Sequence, residues 1–400
     1  MYYAGWYMDT NPFTFGALAL DEAFTDRERE LADLVSDMRN GQDVVVFAPR
    51  RYGKSSLVLR AAQDAIRRRV LVGYCDVMKT PTKERFAAAL SRTIYEDLES
   101  PVGHALDRAT ALFRGLRVRP TIEVDPDDAS LRFSYEPVPR REDIDDTIER
   151  LLELPGEIAA ERKRRVALVF DEFQEVIRID ERFPNLMRSV FQTQPEVAHV
   201  YLGSRRHLLD RIFSDRNEPF WRSAKHVELE VIPAEEFTPF LRERFAATQR
   251  TVGDPALDRL LAATGGHPYA TQELAYFLWE LVPTGKEADV ADVESALEQV
   301  LQSEHNHFAR IWEEATENQR LVLIALSAEP GRLYSGDYRA RHRLPSSTYI
   351  QRAVGSLTHE DLIARGRAGY AIIEPFLADW VRREQSATPF TERLRAARRR

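Results

Sequence analysis

The 400-residue sequence predicts an α/β fold in three parts. A parallel sheet of five strands with crossover helices comes first, then an all-helical segment, then a small C-terminal domain that ends in a strand pair. Three observations predict it. Through the first half, short apolar runs alternate with longer helical patterns. Near Pro233 the strand signals stop. Near His305 the composition changes again, toward short helices, serine and arginine.

The strands are expected at Val44–Phe47, Val70–Asp76, Val166–Phe170, Ala198–Leu202 and Val227–Leu229, each rich in Val, Leu or Tyr. Between the second and third, "LRVRPTIEVDPDDASLRFSYEPVP" alternates apolar and polar residues on both sides of Asp125–Asp128, the pattern of a hairpin inserted at about 115–140. "EDIDDTIERLLELPGEIAAERKRR" then reads as an amphipathic helix that leads into the third strand. Residues 234–300 read as helices interrupted at "ATGGHPYATQELAYFLWEL". Beyond His305, "TENQRLVLIALS" and "YSGDYRARHRL" read as two helices. "PSSTYIQRAVGSLTHEDLI" opens with proline and two serines, a strong helix start. "ARGRAGYAII" supplies two strands with Gly366 and Gly369 in their turn, which completes the pattern of a winged helix. The expected domains are a core at 1–232, a helical lid at 233–300, a winged helix at 301–385 and a basic tail at 386–400.

The bulk numbers exclude several classes. A hydrophobic content of 44% with 30% charged residues is ordinary for a soluble globular protein. A net charge of −8 argues against a chain coated in nucleic acid but leaves room for a local basic patch. The single cysteine, Cys75, has no internal partner, so a reducing compartment is expected. "MYYAGWYMDT" has no basic segment followed by an apolar one, and no uncharged apolar stretch approaches about 18 residues. The chain is expected to be cytoplasmic, without contact to a membrane.

The chemistry concentrates in "VVVFAPRRYGKSSLVLRAA". A strand, a tight loop, Gly-Lys-Ser and an immediate helix form the context of a phosphate-binding loop, or P-loop. Backbone N–H groups of Ala48, Pro49, Arg50, Arg51, Tyr52, Gly53, Lys54, Ser55 and Ser56 (all but the proline) would surround phosphates, where the helix dipole favours negative charge. Lys54 would reach the β- and γ-phosphates of ATP, and the Ser55 hydroxyl would bind Mg²⁺. Alanine stands at the first loop position, where the usual pattern has glycine; its methyl is small enough if the backbone stays in the region open to L-residues. "RRVALVFDEFQEV" then sets Asp171 and Glu172 at the end of an apolar strand, Asp171 to hold the Mg²⁺ shell and Glu172 to polarise an attacking water. A third strand ends in Gly203-Ser204-Arg205-Arg206. Ser204 either touches the γ-phosphate or the water, or caps the helix that follows.

These motifs together resemble the archaeal-type ATPase family, P-loop ATPases placed among the AAA+ and STAND-type switch NTPases. "NPFTFG…FTDRERELADL", "APRRYGKSSL", "LVFDEFQEV", "YLGSRRHLL" and "TGGHPYATQEL" carry the resemblance over about residues 11–280, with Ala48 as the departure. It implies a P-loop NTPase core with a helical lid, an ATP-hydrolysing switch that uses Mg²⁺. It also implies that Asn11, Pro12 and Phe13 border the adenine, with the start of an Asp26–Leu31 helix, and that His267 approaches the phosphates and reports nucleotide state with a pKa tunable near neutrality. Without the family, "GGHPY" is a break between helices, with a core-capping histidine as the competing reading of His267. A neighbouring subunit of a homo-oligomer often supplies an arginine to the γ-phosphate in such ATPases; Arg211, Arg216 and Arg222 are candidates, Arg222 nearest the fifth strand.

Charge marks the C-terminal domain. From Gly331 to Tyr370 there are seven arginines and three acids, and from Val381 to Arg400 seven arginines and two acids, balances of +4 and +5. Basic residues on one module supply salt-dependent binding to double-stranded DNA. Tyr349, Gln351 and Arg352 would face the groove, and Arg365 and Arg367 would sit on the wing near phosphates. Winged helices also serve protein contacts, so a protein partner without DNA is the competing reading. Residues 301–400 contain no lysine, which argues against a nuclease built on a lysine beside paired acids.

Overall fold

The computed structural model describes residues 10–16, 27–99, 110–125, 130–136, 141–366 and 368–387. The structure divides into two compact units. One holds residues 27–48 and 54–229; the other holds the described residues of 10–16, 49–53 and 230–387.

The first unit begins with helix α1 (Glu28–Asn40), strand β1 (Val44–Phe47), α2 (Lys54–Arg67), β2 (Leu71–Asp76) and α3 (Lys83–Thr93). The inserted hairpin β3 (Thr121–Val124) and β4 (Leu131–Ser134) pairs antiparallel, Ile122 opposite Phe133. Then follow α4 (Arg141–Arg162), β5 (Val166–Asp171), α5 (Val176–Ile179), α6 (Phe183–Phe191), β6 (Val197–Gly203), α7 (Arg206–Ser214) and β7 (Lys225–Glu228). The sheet is parallel, in the order β2-β5-β6-β1-β7. Strands flanked on both edges and covered on both faces read as continuous apolar runs, and β5 and β6 are buried at every position. That is why their positions were legible to within a residue or two.

Each large apolar side chain so buried contributes about 1.5–3 kcal/mol relative to an exposed one. Cys75 on β2 is a free thiol inside this core, and burial pushes its pKa up to about 12, which makes it a packing residue and not a nucleophile. The edge of β2 is capped by side chains: Tyr74 N–H donates to Asp97 (3.0 Å) and Thr93 Oγ1 donates to the Tyr74 carbonyl (2.9 Å). At the opposite edge Lys225 pairs with Asp37 (2.9 Å) and Glu228 pairs with Arg206.

The second unit contains α8 (Ala234–Ala247), β8 (Thr251–Val252), α9 (Asp254–Thr264), α10 (Pro268–Leu281), β9 (Glu287–Ala288), α11 (Val290–Glu314), α12 (Glu317–Ala328), α13 (Gly336–Arg341), α14 (Ser347–His359), β10 (Ile363–Arg365), β11 (Tyr370–Ile372) and α15 (Pro375–Ala387). Residues 234–300 are not wholly helical, because β8 and β9 pair in parallel; two residues each are too short to leave a periodic signal. α12 starts where Thr316 and Gln319 form a capping box, each side chain satisfying the other's backbone N–H. α12–α14, β10 and β11 form the winged helix, with Gly369 at φ 135 in the wing turn and Arg365 opposite Tyr370. α15 follows the wing and packs Phe376, Leu377, Trp380 and Val381 into the second unit's core. Among the described residues no helix is long and apolar enough to cross a membrane.

Candidate nucleotide site

The loop between β1 and α2 explains how alanine stands in for glycine. Ala48 is fully buried, its N–H donates to the Gly203 carbonyl (3.4 Å), and its φ is not among the positive ones. The left-handed turns fall later, at Arg51 (φ 67) and Gly53 (φ 77). The small first residue is needed for space and not for backbone freedom, so a methyl suffices.

α2 begins at Lys54, which puts Lys54 and Ser55 in its first turn. The Lys54 ammonium, 7% exposed, lies 3.4 Å from Glu172 Oε1, and Ser55 Oγ donates to Asp171 Oδ2 at 3.3 Å. Ser204 at the end of β6 donates to Glu172 Oε2 (2.8 Å), which Gln174 also reaches. The structure thus brings Lys54, Ser55, Asp171, Glu172 and Ser204 into one cluster. Burial alone would raise the Glu172 pKa, but the Lys54 charge and the donors on Gln174 and Ser204 outweigh it and hold the carboxyl below its usual range.

The backbone of Glu172 is left-handed (φ 51, ψ 45), a conformation that costs a non-glycine residue about 1–3 kcal/mol. Its turn leads into the short helical segment Phe173–Glu175 and so sets Gln174 beside Glu172. Gly203 is required by close approach: a Cβ there would sit 2.4 Å from Gln174 Oε1 and 2.5 Å from Leu209. No motif points to Gln174, or to Tyr74, whose hydroxyl donates to Asp171 Oδ2. Burial, and then Asp171, hold the Tyr74 phenol protonated well above its ordinary range.

The oxygen donors Ser55 and Asp171 suit magnesium, which takes hard oxygen ligands and binds proteins through one or two carboxylates plus substrate phosphates. The pair fits that ion better than a soft metal.

In the second unit, the side chains of loop residues 50–52 are engaged. Arg50 lies 3.7 Å from Asp361, Arg51 donates to Glu374 (3.2 Å) and stacks on Tyr269 (4.3 Å), and the Tyr52 ring meets His267 edge-on (4.7 Å). Their contribution to a phosphate cradle therefore rests on backbone N–H groups. His267 is 1% exposed and caps α10, its Nδ1 accepting from Ala270 N–H (3.2 Å). Burial, then Arg51, lower its pKa to about 3, so it stays neutral and does not titrate near neutrality as its exposed counterpart would. Phe13 is buried against Phe240 and Phe245, and Asn11 donates to the Tyr276 carbonyl (3.1 Å), which leaves Pro12 half-buried beside them.

Glu273 on α10 gives this unit a second strong pH dependence. It is 1% exposed, and burial, then Glu304 and Glu374, outweigh Arg51 and raise its pKa to about 8. The folded chain therefore keeps a proton that the unfolded chain loses near 4.5. Stability from this group is fully present below 4.5, declines by up to about 1.4 kcal/mol per pH unit and is gone above about 8. Calorimetry on Glu273→Gln should show a smaller fall in Tm from pH 5.5 to 8.5 than wild type; equal falls would refute the assignment.

Of the other expected site residues, Arg222 is exposed with φ 52 beside Trp221, and Arg211 pairs loosely with Glu218 (3.7 Å); neither is joined to the Lys54 cluster. Tyr349 (63% exposed), Gln351 and Arg352 are exposed on α14, as is Arg365 on β10. Arg367, Asp26 and residues 388–400 lie outside the described residues.

A family described as "ATPase domain predominantly from Archaea" matches residues 24–274, and a "probable winged helix domain" matches 306–383. Among solved structures, the Walker-type ATPase PABY2304 of Pyrococcus abyssi is similar over 94% of this chain and 99% of its own, with 18% identity and a TM-score of 0.62. The ORC2 protein of Aeropyrum pernix, solved in ADPNP–ADP complexes, is similar over 94% and 100%, with 13% identity and a TM-score of 0.51. No curated protein matches.

Proposed function

Because the chain belongs to the family of ATPase domains found predominantly in Archaea, we propose that it binds ATP with Mg²⁺, hydrolyses it slowly and passes the nucleotide state to a winged helix that holds double-stranded DNA. The observation that carries the reading is the convergence of Lys54, Ser55, Asp171, Glu172 and Ser204 from α2, the end of β5 and the end of β6. Ligands of open α/β sheets sit outside the carboxyl ends of the strands, where these residues lie.

In this reading the N–H groups of residues 48–56 cradle the phosphates, and the Lys54 ammonium exchanges Glu172 for the β- and γ-oxygens. Ser55 and Asp171 hold the magnesium, which neutralises phosphate charge when bound. Glu172 takes the proton of a water whose oxygen bonds to the γ-phosphorus as the β–γ bridge breaks, releasing ADP and phosphate. Ser204 orients Glu172 and reaches the γ-phosphate. Pro12 and the Phe13 backbone border the adenine, the Phe13 ring being committed to the core. His267 senses the loop through Tyr52, and Arg222 is offered to a neighbouring copy.

The ion pair between Lys54 and Glu172 supports slow turnover, because both groups must leave each other before either acts. The same observation favours the second reading, a nucleotide-binding regulator that turns over little and binds a protein partner. ATPase activity of the purified chain with and without duplex DNA tests the first; activity at the level of a Glu172→Gln variant would reject it. For DNA, exposed Tyr349, Gln351 and Arg352 would read the groove while Arg365 and Arg367 contact phosphates. Arg352→Ala with Arg365→Ala should weaken duplex binding about tenfold or more and flatten its salt dependence by roughly two counterions. Binding that is unchanged by the pair, or insensitive to salt, would leave the protein-partner reading.

A further inference from the structure

We infer that Tyr74 is a positioning residue for the magnesium site, acting through Asp171; the inference rests on the ATP reading above. Tyr74 stands on the edge strand β2, one strand from Asp171 on β5. The strands run in register with Tyr74 opposite Val169 and Asp76 opposite Asp171, so the tyrosine lies two residues short of the acid. Its long side chain spans that offset and its hydroxyl donates to Asp171 Oδ2. The same oxygen accepts from Ser55 Oγ (3.3 Å), while Oδ1 accepts from the Glu172 N–H (2.9 Å). Three donors from three elements thus fix the carboxylate in one rotation.

The backbone beneath Tyr74 is fixed with equal care. At a bare sheet edge its N–H and C=O would face solvent, but Asp97 accepts the first and Thr93 donates to the second. A tyrosine pinned on both backbone groups, with its ring half-buried, is a rigid arm with a donor at its tip. Partners that orient ligating carboxylates change metal affinity by about 10–100-fold when removed. A phenol suits the task because it lends one hydrogen-bond donor and brings no charge of its own to the site.

The test is Tyr74→Phe, which keeps the ring and removes the oxygen. Binding of a fluorescent ATP analogue is measured in EDTA and then across a Mg²⁺ titration. The expected result is equal affinity in EDTA and about a tenfold higher Mg²⁺ concentration for half-maximal tightening. In an Asp171→Asn background the same change should add nothing further. Coincident Mg²⁺ titrations of Tyr74→Phe and wild type, or full additivity with Asp171→Asn, overturn the inference alone. A Tyr74→Phe chain that loses affinity equally in EDTA and in Mg²⁺ assigns the tyrosine to packing and also overturns it. A wild-type chain that takes up no nucleotide overturns the ATP reading, and this inference with it.

Discussion

Replacing Glu172 by glutamine should lower ATP turnover by about 10²–10⁴-fold, the usual share of a positioned general base, while nucleotide binding stays within about threefold of wild type. The amide keeps the size of the side chain and an acceptor for Ser204, but it cannot take a proton from water. The ion pair with Lys54 disappears at the same time. That frees the ammonium for phosphate, so any change in affinity should be toward tighter binding. Single-turnover hydrolysis with bound nucleotide separates the two effects. Retention of the wild-type rate would show that Glu172 serves only to hold Lys54 and Gln174 in place.

Lys54→Ala should have the second largest effect, a loss of at least about 100-fold in ATP affinity, equal to about 2.7 kcal/mol. Two contributions add. The phosphate loses a buried cation, which a charge-assisted contact makes worth about 1.5–3 kcal/mol. Glu172 also loses its ion-pair partner, so its negative charge faces the phosphates with no cation between them, and that repulsion adds to the loss. Equilibrium binding of ATP to the variant decides it. Affinity equal to wild type would remove the site, and a parallel measurement of thermal stability distinguishes a lost contact from a lost fold.

The fold was legible where burial is continuous. Val166–Phe170 and Val44–Phe47 could be placed from sequence because a strand covered on both faces leaves no polar position to confuse its period. Lys54, Asp171 and Glu172 were legible for a different reason: motif spacing encodes a strand end and a helix start, and these two places meet at the carboxyl ends of a parallel sheet's strands. What could not be read depends on register and on distant partners. Tyr74 gains its role only because the register of β2 on β5 sets it two residues before Asp76, the residue opposite Asp171, and a lone tyrosine in an apolar run says nothing of this. Arg51 and Glu374 are 323 residues apart in the chain, and local sequence cannot announce their contact. His267 offered two readings, and burial decided its charge: a ring this enclosed stays neutral and serves as a cap. The helix α15 left no separate signal because its apolar residues are confined to its first half, directly behind the wing.

The treatment of the sheet's two margins has a consequence for solubility. A margin with bare amides is a template on which another chain can zip, and a nascent or partly opened copy is most exposed to that hazard. At one margin Asp97 and Thr93 occupy the main-chain groups of Tyr74; at the other Lys225 and Glu228 put ionised side chains where an incoming strand would have to lie. Both devices oppose strand-by-strand polymerisation through this sheet.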